Sequence, residues 1–65
     1  MQLFVKRMIE ERDALASKIK KADTAVNSNP YGMSDDDKSL LSEQLGYMKE
    51  YLRVLNKRIS IHEKN

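Results

Sequence analysis

The residues of this chain best suited to chemistry are two arginines and two tyrosines: Arg12, Tyr47, Tyr51 and Arg58. A guanidinium presents a planar fork of N–H donors that matches the oxygens of a phosphate or a carboxylate. A tyrosine ring presents a π-face on which a base can stack. Tyr47 and Tyr51 stand one helical turn apart, and Arg58 follows Tyr51 by two turns. Arg12 interrupts an otherwise apolar series, which predicts a partly buried cation. Each of these side chains also has a plainer use. Arg12 could pack its stem and pair with a neighbouring carboxylate, and the tyrosines could be interface aromatics with wet hydroxyls.

Other chemistry finds no support. No serine or histidine stands in a triad-like setting, cysteine is absent, and His62 is the single histidine, near a helix end. Asp35, Asp36 and Asp37 read as negative charge at a helix start rather than as a cation site. Glu10 and Glu11 read as solvated or paired one turn away. Tyr31 reads as turn packing, and Arg53, Lys57 and Lys49 as solvated. The expectation is a protein with no catalytic residues, no metal site and no cofactor.

Two helices must position the four candidates. Val5, Met8, Arg12, Leu15, Ile19, Ala22 and Val26 recur at steps of three and four, as do Leu41, Leu45, Met48, Leu52, Leu55, Ile59 and His62. That spacing is the seam of one helix packed on another. Turn formers at Asn27-Ser28-Asn29-Pro30-Tyr31-Gly32 separate the two series, so the chain folds back on itself. Helix 1 is predicted over about 2–26, with Lys18, Lys20 and Lys21 suiting the negative end of its dipole. The loop takes 27–34 and helix 2 about 35–62, within a single domain, 1–65. Ser34 is the expected N-cap, with Asp37 as the reciprocal acid of a capping box. Gly46, inside helix 2, costs about 1 kcal/mol relative to alanine and suggests a close helix approach or room for a ligand.

Folding about the loop sets a register of Val5 against Ile59, Met8 against Leu55, Leu15 against Met48 and Ile19 against Leu45. Arg12 then falls beside Tyr51 and Leu52, and Ala22 and Ala25 face Leu40 and Leu41. Helix 2 carries a second stripe beside its seam: Leu40, Gln44, Tyr47, Tyr51, Val54, Arg58 and Ile61. Phe4 and Ile9 flank the seam of helix 1. One seam in a 65-residue chain without disulfides is a small core, and the second stripe is surplus apolar surface. The expected fold class is therefore all-α, an antiparallel two-helix hairpin assembling into a homo-oligomeric helical bundle.

Composition narrows the partners. Charged residues make up 34% of the chain and leave a net charge of only +2, which argues against a nucleic-acid binder. No apolar run approaches the ~20 residues of a membrane span, and the opening residues lack a secretory h-region. The absence of cysteine is compatible with a cytoplasmic setting.

The opening Phe4-x-x-Arg7-x-x-x-Glu10-Glu11, then Leu15-x-x-Lys18, then Leu40-Leu41-x-x-Gln44-x-x-x-Met48-x-x-Tyr51-Leu52-x-Val54-Leu55-x-x-Arg58-Ile59 resemble small phage-encoded helical-hairpin proteins. Most of the chain is covered. The architecture is similar to that of the Sequestin and Lockin groups, helical homo-oligomers that hold the nucleotide signals of bacterial defence. The resemblance implies a phage origin, action in the host cytoplasm, and a sponge that binds its signal without cleaving it. It carries over no site residue. Combined with the residues, it predicts an anti-defence protein that sequesters a small phosphorylated nucleotide near Arg12, Tyr47, Tyr51 and Arg58. The competing expectation, supported by the same wide apolar face, is an inhibitor or adaptor that docks a helix onto a host defence protein.

Overall fold

A computed structural model describes residues 2–63. Two helices account for nearly all of them: α1, Leu3–Ser28, and α2, Asp35–Glu63. They lie antiparallel, in a rod of 46 × 16 × 13 Å. Phe4 near the start of α1 meets His62 near the end of α2, while Asp23 late in α1 reaches Lys49. No described helix is long and apolar enough to cross a membrane.

The seam follows the apolar spacing. Val5, Met8, Leu15, Ala25, Leu45, Leu55 and Ile59 are buried, and Leu55 is wholly removed from solvent. Val5, Met8, Leu55 and Ile59 form one cluster, with Ile9 packed against it, which is the register the spacing predicts. Arg12, Ile19, Ala22, Val26, Leu41, Met48 and Leu52 are half-buried. His62 departs from the expected seam: it is exposed, and its ring stands edge-on to Phe4 at 4.8 Å between centroids. Leu40 departs too. It remains 65% exposed, whereas Leu41 is half-buried.

The turn is tighter than the sequence suggests, because α1 runs on to Ser28. Asn29 ends it, in the left-handed conformation at φ 43°, with its N–H donating to the Ala25 carbonyl. Asparagine tolerates this region because its short side chain bonds locally. Here the Asn29 side chain clasps the turn twice: Nδ2 donates to the Met33 carbonyl at 3.0 Å, and Oδ1 accepts from the Met33 N–H at 2.7 Å. Gly32 supplies a second positive φ, at 67°. The longer helix leaves Lys18, Lys20 and Lys21 short of the final turn, so they do not sit at the dipole's end as expected.

Ser34 caps α2. Its Oγ accepts from the Asp37 N–H at 3.2 Å, and its carbonyl accepts the first helical bond, from the Lys38 N–H. The reciprocal half of the capping box, from the Ser34 N–H to the Asp37 side chain, is not made. Asp35, Asp36 and Asp37 occupy the first turn, where the positive end of the helix dipole favours them. Gly46 faces open space, so no helix of its own chain approaches it closely.

Candidate functional site

The hairpin divides into two flanks, and two contacts identify them. On one, Phe4 meets His62; on the other, Asp23 pairs with Lys49 at 4.0 Å. An α-helix advances about 100° per residue, so residues eleven apart project within about 20° of each other. Tyr51 therefore projects as His62 does, on the Phe4 side. By the same spacing Arg12 projects as Asp23 does, on the Lys49 side. Arg12 and Tyr51 share a level along the hairpin but stand on opposite sides of the seam.

Arg12 is half-buried, and its Nε donates to Asp13 Oδ1 at 3.2 Å. A partly exposed pair of this kind contributes little to stability. Within one chain, then, Tyr47, Tyr51 and Arg58 share a side, and Arg12 is not brought to them.

The second stripe of α2 splits into two columns of seven-residue spacing. The inner column, next to the seam, is Gln44, Tyr51 and Arg58. The outer column is Leu40, Tyr47, Val54 and Ile61, all exposed and all apolar apart from the tyrosine hydroxyl. Tyr47 is 69% exposed and its hydroxyl donates to Glu43 Oε1 at 3.3 Å, which holds the ring along its own helix. Tyr51 is 46% exposed. Gln44 Nε2 donates weakly to the Met48 sulfur at 3.9 Å.

Charge is distributed unevenly between the flanks. Among the described residues, the ion pairs are Arg12–Asp13, Lys49–Asp23 and Arg53–Glu50. All three lie on the Lys49 flank or on the outer surface of α2 behind it. The Arg53 hydrogen bond, and the charges of Arg53 and Lys57, hold the Glu50 carboxyl below the usual carboxylate range. The same bond raises Arg53 above its ordinary value. On the tyrosine flank Arg58 enters no ion pair with another described residue, and neither do Glu11 or Lys18 on α1. That flank combines accessible aromatic faces with uncommitted charge, the chemistry that a phosphorylated aromatic ligand requires.

No curated protein and no solved structure matches the chain. The family model described as Sequestin matches residues 2–61, both helices and the turn between them. With nearly the whole hairpin inside that match, the chain belongs to the Sequestin family.

Proposed function

We propose that this protein captures a small phosphorylated nucleotide signal and holds it without cleaving it. In this reading it is a phage anti-defence protein acting in the cytoplasm of the infected cell, and it is not an enzyme. Membership of the Sequestin family, whose name denotes sequestration, is the observation that carries the reading. The exposed flank of Tyr47, Tyr51 and Arg58 supports it: a tyrosine face takes the base and a guanidinium takes a phosphate. Arg12 joins these three only if a second copy lays its opposite flank beside them. Such a copy is part of the proposal, because the column of Leu40, Tyr47, Val54 and Ile61 is the kind of surface that homo-oligomers cover.

The test is to purify the protein from phage-infected cells, denature it, and analyse the released small molecules by mass spectrometry. Calorimetric titration against cyclic dinucleotides and ADP-ribose derivatives accompanies it. An intact nucleotide released in stoichiometric amount, and a ligand recovered chemically unchanged after incubation, is the expected result. No released nucleotide and no heat from any member of the panel, with tight capture of a host protein instead, would replace this reading with the docking one.

A further inference from the structure

The outer column of α2 is long, regular and uncovered. Leu40, Tyr47, Val54 and Ile61 are 65%, 69%, 42% and 61% exposed. They span about 32 Å of helix at ~1.5 Å per residue. The column projects roughly 130° round α2 from the buried seam of Leu45, Leu55 and Ile59, so α1 does not cover it. Apolar residues repeating every seven positions suit a second helix laid alongside, either parallel or antiparallel.

The charges beside the column choose between those two orientations. Along its edge away from α1 stand Glu43, Glu50, Arg53 and Lys57, acids first and bases after. A parallel second α2 would set Glu43 against Glu43 and Lys57 against Lys57. An antiparallel one sets Glu43 against Lys57 at both ends, and it opposes the two helix dipoles. Neither Glu43 nor Lys57 enters an ion pair among the described residues. The Tyr47 hydroxyl engages only Oε1 of Glu43.

The apolar column fixes the register separately. A two-fold axis between Glu50 and Tyr51 lays Leu40 against the partner's Ile61 and Tyr47 against the partner's Val54. The same axis brings Glu43 within about 1.5 Å, one residue, of the level of the partner's Lys57. Beside the axis the Glu50–Arg53 pairs of the two copies meet, each carboxylate already held by its own guanidinium. Burial and charge therefore agree on one alignment.

We infer that the outer column is a self-complementary interface, on which a second copy docks its own α2 antiparallel about an axis between Glu50 and Tyr51. This specifies the second copy that the proposed function invokes, and the pairing itself needs no ligand. Toward α1 it sets the two Tyr51 side by side at the axis, where the grooves between α1 and α2 of the two copies open onto each other. Arg12 lies on the opposite flank of each hairpin and stays outside this contact. Delivering it to the tyrosines takes a further copy.

The experiment is sedimentation equilibrium of the full chain, with helicity followed by circular dichroism. The expected species has twice the 7.6 kDa of one chain. Val54→Asp should return it to a monomer that keeps its helical signal, because the site is exposed in the hairpin. Lys57→Glu and Glu43→Lys should each weaken association about tenfold, since two symmetric attractions become repulsions, and the double variant should restore it. The chain has no cysteine of its own, so single cysteines report the orientation. Tyr51→Cys, beside the axis, should form an inter-chain disulfide under mild oxidation, and Leu40→Cys should not. A chain that stays monomeric at millimolar concentration overturns the inference. So does association indifferent to Val54→Asp, or a disulfide from Leu40→Cys alone, which marks parallel pairing. A monomer that captures a host protein, with Val54→Asp blocking the capture, gives the column to that partner instead. A monomer leaving infected cells with a bound nucleotide defeats this inference and keeps sequestration. A dimer of this register that carries no nucleotide keeps the inference and defeats sequestration.

Discussion

Replacing Asn29 tests how the turn holds the two banks of the groove in register. Three contributions can be separated. The left-handed backbone at φ 43° costs an ordinary residue about 1–2 kcal/mol. The two side-chain bonds to Met33 contribute about 0.5–1.5 kcal/mol each. The backbone bond from the Asn29 N–H to Ala25 survives any substitution except proline. Asn29→Ala forfeits the clasp while leaving a Cβ in the left-handed region, for a loss of about 1–3 kcal/mol. Asn29→Gly forfeits the clasp but relieves the backbone, so it should retain about 1 kcal/mol relative to alanine. Thermal unfolding by far-UV circular dichroism, at one protein concentration, reads both. In a chain of this size each kcal/mol moves Tm by about 4–8 °C, so alanine should lower Tm by at least about 4 °C, with glycine between it and the wild type. Glycine equal to or worse than alanine would refute the left-handed cap. An unchanged Tm in both would show that the clasp contributes nothing.

Ser34→Ala removes the oxygen that accepts from the Asp37 N–H and should cost about 1 kcal/mol in urea unfolding; no change would mean that another group caps α2. Leu52→Asp puts an unpaired charge into the half-buried seam and should abolish the cooperative helical signal in circular dichroism. If the outer column of α2 meets a second copy, Tm should rise with protein concentration and sedimentation should show a species larger than 7.6 kDa; a monomer with concentration-independent melting rejects the assembly. Arg12→Ala should leave folding intact, because it frees only an exposed carboxylate, and its effect in nucleotide calorimetry reports whether a second copy delivers Arg12 to the tyrosine flank.

Much of the hairpin is legible from residue spacing alone. Apolar steps of three and four located the seam at Val5, Met8, Leu15, Leu45, Leu55 and Ile59, because an antiparallel helix pair buries those positions whatever surrounds them. Ser34 was legible because a hydroxyl before three aspartates has one obvious role. The end of α1 was not. Asn27, Ser28 and Asn29 are all turn formers, and the choice among them is made by a side chain reaching Met33, a contact that exists only once the turn is closed. The placement of Arg12 shows a different limit. Register fixed its level beside Tyr51, but not its side of the seam, which depends on how the handed surfaces of two antiparallel helices meet. The pairs Phe4–His62 and Asp23–Lys49 supply that missing piece.

The core among the described residues buries no polar side chain; its members are valine, methionine, leucine, alanine and isoleucine. Such a seam has no means of telling one partner helix from another of equal spacing, and the α2 of a second copy has equal spacing by construction. What makes α1 choose its own α2 is proximity, enforced by the short connection between Ser28 and Asp35. Straightening that connection would let α1 close on a neighbour's α2 with every seam contact preserved, giving an exchanged pair at little cost. In that pair the two banks of each groove would belong to different chains. In such an exchange the Asn29 clasp would decide which chain supplied each helix of a hairpin, a matter of identity that the buried residues leave open.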